Sequence, residues 1–305
     1  MSTEPAIFQA TAATVGTFDG VHRGHLFLLD CLRRVACDRG LEPVVILPTV
    51  HPRAVVSGQP MTRQLSTFSQ RRKLIEQAGV QVYPLQFDEN MRRLTSAQFL
   101  AAMRGRLNLR CLLTGHDNRF GSDRQSAFAD YVSSGERLGI EVIEAPVLPG
   151  VSSSAIRAAI EAADMSVAAS MLGRPYTLAG TVVRGQGLGH TIGFATANLM
   201  PLSADLLIPP RGVYATLASI DGGDSLPAVT NIGYRPTVDT AGSRLSIETH
   251  IHGIDRNLYG EPLAVAFVAR LRDERRFPSV VALTDAVRRD MRDALSLLGN
   301  HGTTQ

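Results

Sequence analysis

Between residues 11 and 172, short apolar runs alternate with longer stretches in which apolar residues recur every three or four positions. The runs at 11–16, 43–47, 80–85, 111–114 and 140–143 have strand length, and the stretches at 25–39, 69–78, 96–106, 127–138 and 153–172 have the helical period. Strand alternating with helix calls for crossover connections, so the pattern predicts a parallel, doubly wound α/β domain of five strands. The helical period stops at Gly173-Arg174-Pro175, where glycine ends a helix and proline prevents its continuation. We place a domain boundary there, giving segments 1–172 and 173–305.

Beyond the boundary the texture changes to short β-rich runs at 176–184, 212–220, 228–232, 245–252 and 263–271, separated by Gly, Pro, Asp and Asn clusters. Such spacing predicts an antiparallel barrel or sandwich. The last stretch, 279–298, regains the helical period and is expected to pack on that β structure. No internal repeat interrupts either half.

Composition narrows the function classes. The chain has 305 residues, 44% of them apolar, enough for each half to bury its own core. Lys and Arg outnumber Asp and Glu by 31 to 28, with no block of like charges, so a nucleic-acid surface gains little support and polyanionic small substrates fit equally well. Cys31, Cys37 and Cys111 are odd in number and lack metal-ligand spacing, which argues against a disulfide framework or zinc site and for a reducing cytoplasm. No basic segment followed by an apolar stretch opens the chain, and nowhere do 18 apolar residues run together. The expectation is a cytoplasmic protein without a membrane span or membrane partner.

Two clusters carry chemistry. The first follows the first predicted strand: Gly16-Thr17-Phe18-Asp19-Gly20-Val21-His22-Arg23-Gly24-His25, leading into a helix. Gly16, Gly20 and Gly24 let backbone amides and a helix N-terminus approach phosphate oxygens, and His22 and His25, three apart, share one side of the first turn. Nucleotidyl transfer asks the protein mainly to align an incoming phosphate with the α-phosphate of ATP and to neutralise charge, which two imidazoles can do. The spacing alone equally suits a glycine-rich turn with surface histidines. Further groups fall at the ends of later strands: His51-Pro52, then Gly115-His116-Asp117-Asn118-Arg119-Phe120-Gly121, then Ser152-Ser153-Ser154-Ala155-Ile156-Arg157 opening a helix. Ser153 can cap that helix and Arg157 can reach a phosphate one turn on, although capping alone would also explain the serines.

The second cluster runs through Gly185, Gly187, Gly189, His190 and Gly193 to Thr196-Ala197-Asn198. Four glycines in nine residues allow close approach to a polyphosphate, or simply make a pliable loop. Downstream come Asn231-Ile232-Gly233-Tyr234-Arg235-Pro236-Thr237, Ser246-Ile247-Glu248-Thr249-His250, Leu258-Tyr259-Gly260 and Leu271-Arg272-Asp273-Glu274-Arg275-Arg276-Phe277. A kinase needs a carboxylate to take a hydroxyl proton and hard oxygen ligands for a bridging cation. Glu248 offers the first, Thr196 and Asn198 the second.

The first cluster resembles the F-D-G-x-H-x-G-H signature of nucleotidylyltransferases in the form found in bacterial FAD synthetases, and the second half resembles riboflavin kinases nearly throughout. The resemblance to the bifunctional riboflavin kinase/FMN adenylyltransferase family covers about Val15 to Asp290. It implies an enzyme that phosphorylates riboflavin to FMN and adenylylates FMN to FAD, with Mg2+ as cofactor and ATP as co-substrate. It further implies Glu248 as base, His22 and His25 as the catalytic histidines, and Thr196 with Asn198 as metal ligands. Gly16, Phe18, Asp19, Gly20, Gly24, Ser153, Arg157, Gly185, Gly189, His190 and Gly193 would bind ATP or phosphate, and His51, Asp117, Arg119, Asn231, Arg272 and Asp273 would line flavin pockets.

The chain departs from the family pattern at five of these places. T-F-D-P-H-P is here Leu47-Pro48-Thr49-Val50-His51-Pro52, without the acidic residue; Asn118 stands at an aromatic position; and Ala155 replaces an arginine. In the second cluster His190 replaces an arginine and Ala195 a proline. The departures keep a second reading open, a riboflavin kinase whose first site is impaired or redirected to a modified flavin or another acceptor. A non-catalytic flavin or nucleotide sensor would have no use for Glu248 and the Thr196–Asn198 pair.

Overall fold

The computed structural model describes residues 9–50, 63–115, 120–123, 128–185, 195–236 and 243–299. The chain divides into two compact units, Met1–Ser152 and Ser153–Gln305.

The first unit holds strands β1 (Thr11–Val15), β2 (Glu42–Pro48), β3 (Gln81–Leu85), β4 (Leu109–Thr114) and β5 (Glu141–Glu144), all parallel, in the order β3-β2-β1-β4-β5. Helices α1 (Arg23–Arg39), α2 (Phe68–Gln77), α3 (Glu89–Arg93), α4 (Ser96–Leu107) and α5 (Phe128–Glu136) connect them. The expected parallel α/β sheet is therefore present, with the short helix α3 added. Alternation explains why the strands read as unbroken apolar runs. Ala13, Val15, Val44, Ile46 and Leu112 point to Phe99, Leu100, Met103 and Tyr131 of α4 and α5. Their neighbours Ala12, Val45, Leu47, Cys111 and Leu113 point to Leu29, Leu32, Ala36 and Ile75 of α1 and α2. Both faces are covered, so both phases of the two-residue period must be apolar. Thr67 and Thr95 open α2 and α4 as capping boxes with Gln70 and Gln98.

The expected helix over 153–172 is two helices, α6 (Ser153–Glu161) and α7 (Met165–Leu172). Ala163 turns left-handed at φ 60°, the Asp164 amide bonds the Ala159 carbonyl and the Ala163 amide that of Ile160, both at 2.9 Å. That is a Schellman closure with alanine where glycine is usual, and an apolar alanine leaves no mark of it in the period. Asp164 then caps α7 by accepting from Val167 N at 3.0 Å. Helix α7 buries Met165, Ala168, Met171 and Leu172 and packs on barrel strands.

The second unit is a closed antiparallel barrel, which settles the choice between barrel and sandwich. Its strands are β6 (Tyr176–Val183), β7 (Ala197–Pro201), β8 (Gly212–Ile220), β9 (Ser225–Pro236), β10 (Ser243–Ile251) and β11 (Pro262–Arg272), in the circular order β10-β7-β6-β11-β8-β9. Strand β7 went unanticipated because five residues ending in proline, with Asn198 inside, carry little β signal. Inside the barrel, Thr216, Thr230 and Thr249 are fully buried and share hydroxyl hydrogen bonds of 2.9 and 3.0 Å. Outside, Val213, Ala215 and Val229 meet Met291, Ala294 and Leu298 of the terminal helix α8 (Val280–Gly299). That helix lies on the barrel as its period predicts, and Asp290 on it receives Arg272 in a two-pronged ion pair at 2.8 and 2.7 Å.

Candidate functional sites

In the sheet order, β1 sits between β2 and β4: the chain runs outward from β1 through β2 to β3, then crosses back to β4 on the other side of β1 and on to β5. Open α/β sheets bind ligands in the crevice at such a point, beyond the carboxyl ends of the strands. The loop from Gly16 to His22 occupies it.

Three of its residues have positive φ: Phe18 at 50°, Gly20 at 79° and Val21 at 38°. For the β-branched Val21 that conformation is costly, of the order of 1–3 kcal/mol, and must be imposed by surrounding structure. The imposing residues lie in the segment before α2. Asp19, 2% exposed, accepts from Leu65 N at 3.0 Å, Ser66 N at 3.1 Å and the Ser66 hydroxyl at 3.3 Å. Ser66 Oγ in turn accepts from Gly20 N at 2.8 Å. The buried Arg71 guanidinium donates to the Thr17 carbonyl at 3.0 Å, and its charge is balanced in part by Asp19. Phe18 and Val21 are buried in the α1 side of the core. Asp19 thus faces the protein interior as the keystone of the loop. Leu65, Ser66 and Arg71 were not singled out from the sequence, since a serine and an arginine at a helix start look like ordinary capping and surface residues.

His22 is the N-cap of α1, and its Nδ1 accepts from His25 N at 3.3 Å, which places the proton of the neutral ring on Nε2. The two rings stack at 3.7 Å between centroids, tilted by 15°, with Phe18 4.8 Å from His25. Gly24 fits beneath the His22 ring, where a Cβ would come within 3.2 Å, and a Cβ at Gly16 would come equally near Phe18. His25 Nδ1 is buried with no hydrogen-bond partner among the described residues. Burial first, then His22 and Arg71, push the His25 imidazole well below its ordinary value of 6.5. Above pH 6.5 folded and unfolded chains both hold it neutral; as pH falls below 6.5 only the unfolded chain takes up the proton, so folding stability is lost. We expect the urea midpoint to fall between pH 7.5 and 5.5, and His25→Gln to flatten that fall; an unchanged slope would refute the assignment.

The segment returning from β4 is anchored by Phe120, which packs between Phe99 and Tyr131 at 5.3 and 4.5 Å, and by Asp123, which accepts from Ser96 N and Oγ at 2.9 Å. Gly121 at φ 89° passes so close to Ser96 that a Cβ would overlap its amide. Thr49 donates to the Leu85 carbonyl from both its amide and its hydroxyl. His51, Asp117, Asn118 and Arg119 lie outside the described residues. Ser153 and Arg157 stand half-buried on the first two turns of α6, in the second compact unit.

On the barrel, antiparallel register places Asn198 of β7 opposite Glu248 of β10, and Glu248 opposite Asn231 of β9. Directly opposed residues share a face with Cβ atoms about 4.5–5.5 Å apart. Asn231 also opposes Val213, so this polar row lies on the barrel's outer face, continuous with the surface that α8 covers. Ser246 Oγ donates to Glu248 Oε1 at 3.4 Å. Thr196 and Asn198 line a cavity of about 430 Å³ with Gly185, Ala195, Asp255, Asn257 and Tyr259. Arg184 lies over the Tyr259 ring at 5.8 Å. Gly189, His190 and Gly193 lie outside the described residues.

Gly185 is needed for its lack of a side chain: a Cβ there would overlap the Asn198 carboxamide. Gly185→Ala is expected to cut the rate at this site about 10- to 100-fold by displacing that group. Initial rates of riboflavin phosphorylation check this, and a wild-type rate would show that the Asn198 position is immaterial. Of the residues expected in a flavin pocket, Arg272 pairs with Asp290, and Asp273 Oδ1 accepts from Arg270 at 2.5 Å.

Among the described residues no group of three His, Cys, Asp or Glu could hold a metal. Nor is any described helix long and apolar enough to cross a membrane.

Comparison with known proteins relates each half of the chain to a family. The family model for FAD synthetase matches residues 4–156, and that for riboflavin kinase matches residues 172–298. The chain is 34% identical over 292 residues to the bifunctional riboflavin kinase/FMN adenylyltransferase of Escherichia coli K12, covering 94% of this chain and 92% of that one. The same enzyme of Pseudomonas fluorescens is 35% identical over 290 residues, covering 93% and 92%. This chain belongs to the bifunctional riboflavin kinase/FMN adenylyltransferase family.

Among solved structures, one titled a macrolide-efflux protein from Streptococcus pneumoniae superposes with a TM-score of 0.83 at 28% identity, covering 96% of this chain and 95% of that one. The likeness in fold thus covers nearly the whole chain. Its two halves divide the sites cleanly: the Gly16–His25 loop falls in the FAD synthetase match, and Thr196, Asn198, Asn231 and Glu248 fall in the riboflavin kinase match.

Proposed function

We propose that the chain carries out two successive ATP-dependent reactions, phosphorylation of riboflavin to FMN on the barrel and adenylylation of FMN to FAD on the parallel sheet. The observation that carries this reading is the row Asn198–Glu248–Asn231, fixed by strand register beside a cavity of phosphate-binding size. We take 1–172 and 173–305 as the segments that serve the two reactions.

In the first reaction the riboflavin 5′-hydroxyl oxygen bonds to the γ-phosphorus of ATP as the bond to the ADP oxygen breaks, and Glu248 takes the hydroxyl proton. Asn231 beside it orients the ribityl end, with Arg272 and Asp273 at the edge of the flavin pocket. Thr196 and Asn198 are hard oxygen donors facing one cavity, a set that suits Mg2+. When bound, Mg2+ supplies charge neutralisation across the β- and γ-phosphates. Gly185, Gly189, His190 and Gly193 are the residues we assign to binding those phosphates.

In the second reaction an FMN phosphate oxygen bonds to the α-phosphorus of a second ATP and pyrophosphate leaves. The phosphate nucleophile needs no base, so the protein's task is alignment and charge. His22 and His25 donate to the phosphates from the head of α1. Ser153 and Arg157 hold phosphate, and His51, Asp117 and Arg119 hold the flavin. The chain works in the cytoplasm on small molecules, without nucleic acid or membrane.

Purified protein with Mg-ATP and riboflavin is expected to form FMN, and with Mg-ATP and FMN to form FAD and pyrophosphate, resolved by chromatography. FMN without FAD would overturn the second assignment and support a redirected first site; neither product would overturn both.

A further inference from the structure

The backbone ladder between β10 and β7 ends at the pair Thr249–Ala197. One step further the register would set His250 against Thr196, where strand β7 has given way to loop. At that point a side chain takes over: His250 Nδ1 lies 2.9 Å from the Ala195 carbonyl oxygen. A carbonyl oxygen only accepts, so Nδ1 carries the proton and the ring is the donor. The bond spans 55 residues of sequence and ties β10 to the residue immediately before Thr196.

Ala195 cannot hold itself in place. Alanine has neither a ring to fix φ nor a polar side chain to anchor it, and the sequence before it contains Gly185, Gly187, Gly189 and Gly193. Thr196 and Asn198 follow at once, both on the cavity wall, with Ala195 itself lining the same cavity. His250 stands two residues beyond Glu248 on the same strand, hence on the same face. One strand thereby carries both the proposed base and the anchor of the proposed metal-binding segment.

We propose that His250 is a positioning residue for riboflavin phosphorylation, holding the Ala195 carbonyl so that Thr196 and Asn198 stay in register with Glu248. It acts through that segment and takes no proton in the reaction. The inference rests on the kinase assignment made above, and its test separates the two.

The test compares wild type, His250→Leu and His250→Gln, the last retaining an N–H donor. Riboflavin, a substrate of the barrel alone, is titrated by its fluorescence with Mg-ADP, giving the affinity of a complex in which no reaction occurs. His250→Leu is expected to weaken Mg-ADP about tenfold, as loss of one well-placed hydrogen bond would, and His250→Gln to recover most of that. In turnover His250→Leu should raise KM for ATP more than it lowers kcat, while FAD formation from FMN stays at the wild-type rate. Wild-type Mg-ADP affinity in His250→Leu would overturn the inference and leave the kinase assignment standing. So would equal weakening in the leucine and glutamine variants, including the case where leucine prevents folding and glutamine fails to restore binding. Wild-type protein that neither binds Mg-ADP with riboflavin nor forms FMN would overturn the kinase assignment, and the inference with it.

Discussion

Replacing Glu248 by glutamine is expected to reduce FMN formation from riboflavin about a thousandfold, with conversion of FMN to FAD unchanged. Glutamine keeps the size of the side chain and its contact with Ser246, and the strand register that sets position 248 between Asn198 and Asn231 is made by backbone. What disappears is the ability to take a proton, which accounts for roughly 10²–10⁴-fold in general base catalysis. Initial rates with each flavin, measured separately, decide the matter. A variant retaining a tenth of wild-type kinase activity would require another base.

Asp19→Ala has the larger structural effect. The carboxylate removed is buried and accepts two backbone amides and a hydroxyl, and it is the counter-charge nearest the buried Arg71. Leaving those donors unpaired and that cation without its counter-charge costs about 3–5 kcal/mol, and the loop that carries Phe18 and Val21 at positive φ loses its carboxylate anchor. FAD formation should fall at least about a hundredfold, because the loop that presents His22 and His25 loses its geometry. Riboflavin phosphorylation should persist at temperatures where the first unit begins to unfold. Asp19→Asn, which keeps an acceptor but not the charge, should lie between. Urea unfolding together with the two activities measures all three effects, and an Asp19→Ala protein with wild-type FAD formation would show that the clamp is dispensable.

How much of this could be read from the chain varies with the physics involved. The parallel sheet was legible because burial on both faces writes continuous apolar runs, as in Val44 to Leu47, and the crossover helices carry their own period. The terminal helix was legible for the same reason. The break at Ala163 was not, since a left-handed alanine is chemically indistinguishable from a helical one until its hydrogen bonds are seen. Strand β7 was hidden by its shortness and by the loop residues that share its sequence. In the sites, glycines, histidines, Glu248 and the Thr196–Asn198 pair stood out because few residues have their chemistry. Ser66, Arg71 and His250 did not, because their roles depend on carbonyls and amides distant in sequence, at Thr17, Gly20 and Ala195.

The two units also differ in how they stay apart from other molecules. A closed barrel leaves no edge strand, whereas the parallel sheet ends at β3 and β5, whose outer backbone is unpaired within the sheet and is the place where another chain's strand would add. Both edges are blunted. Pro84, the fourth of the five residues of β3, has no amide to donate, and β5 is four residues long with a glutamate at either end. The strands that border the adenylylation domain are thus poor templates for aggregation, and substitutions such as Pro84→Val would raise the tendency to self-associate without touching either site.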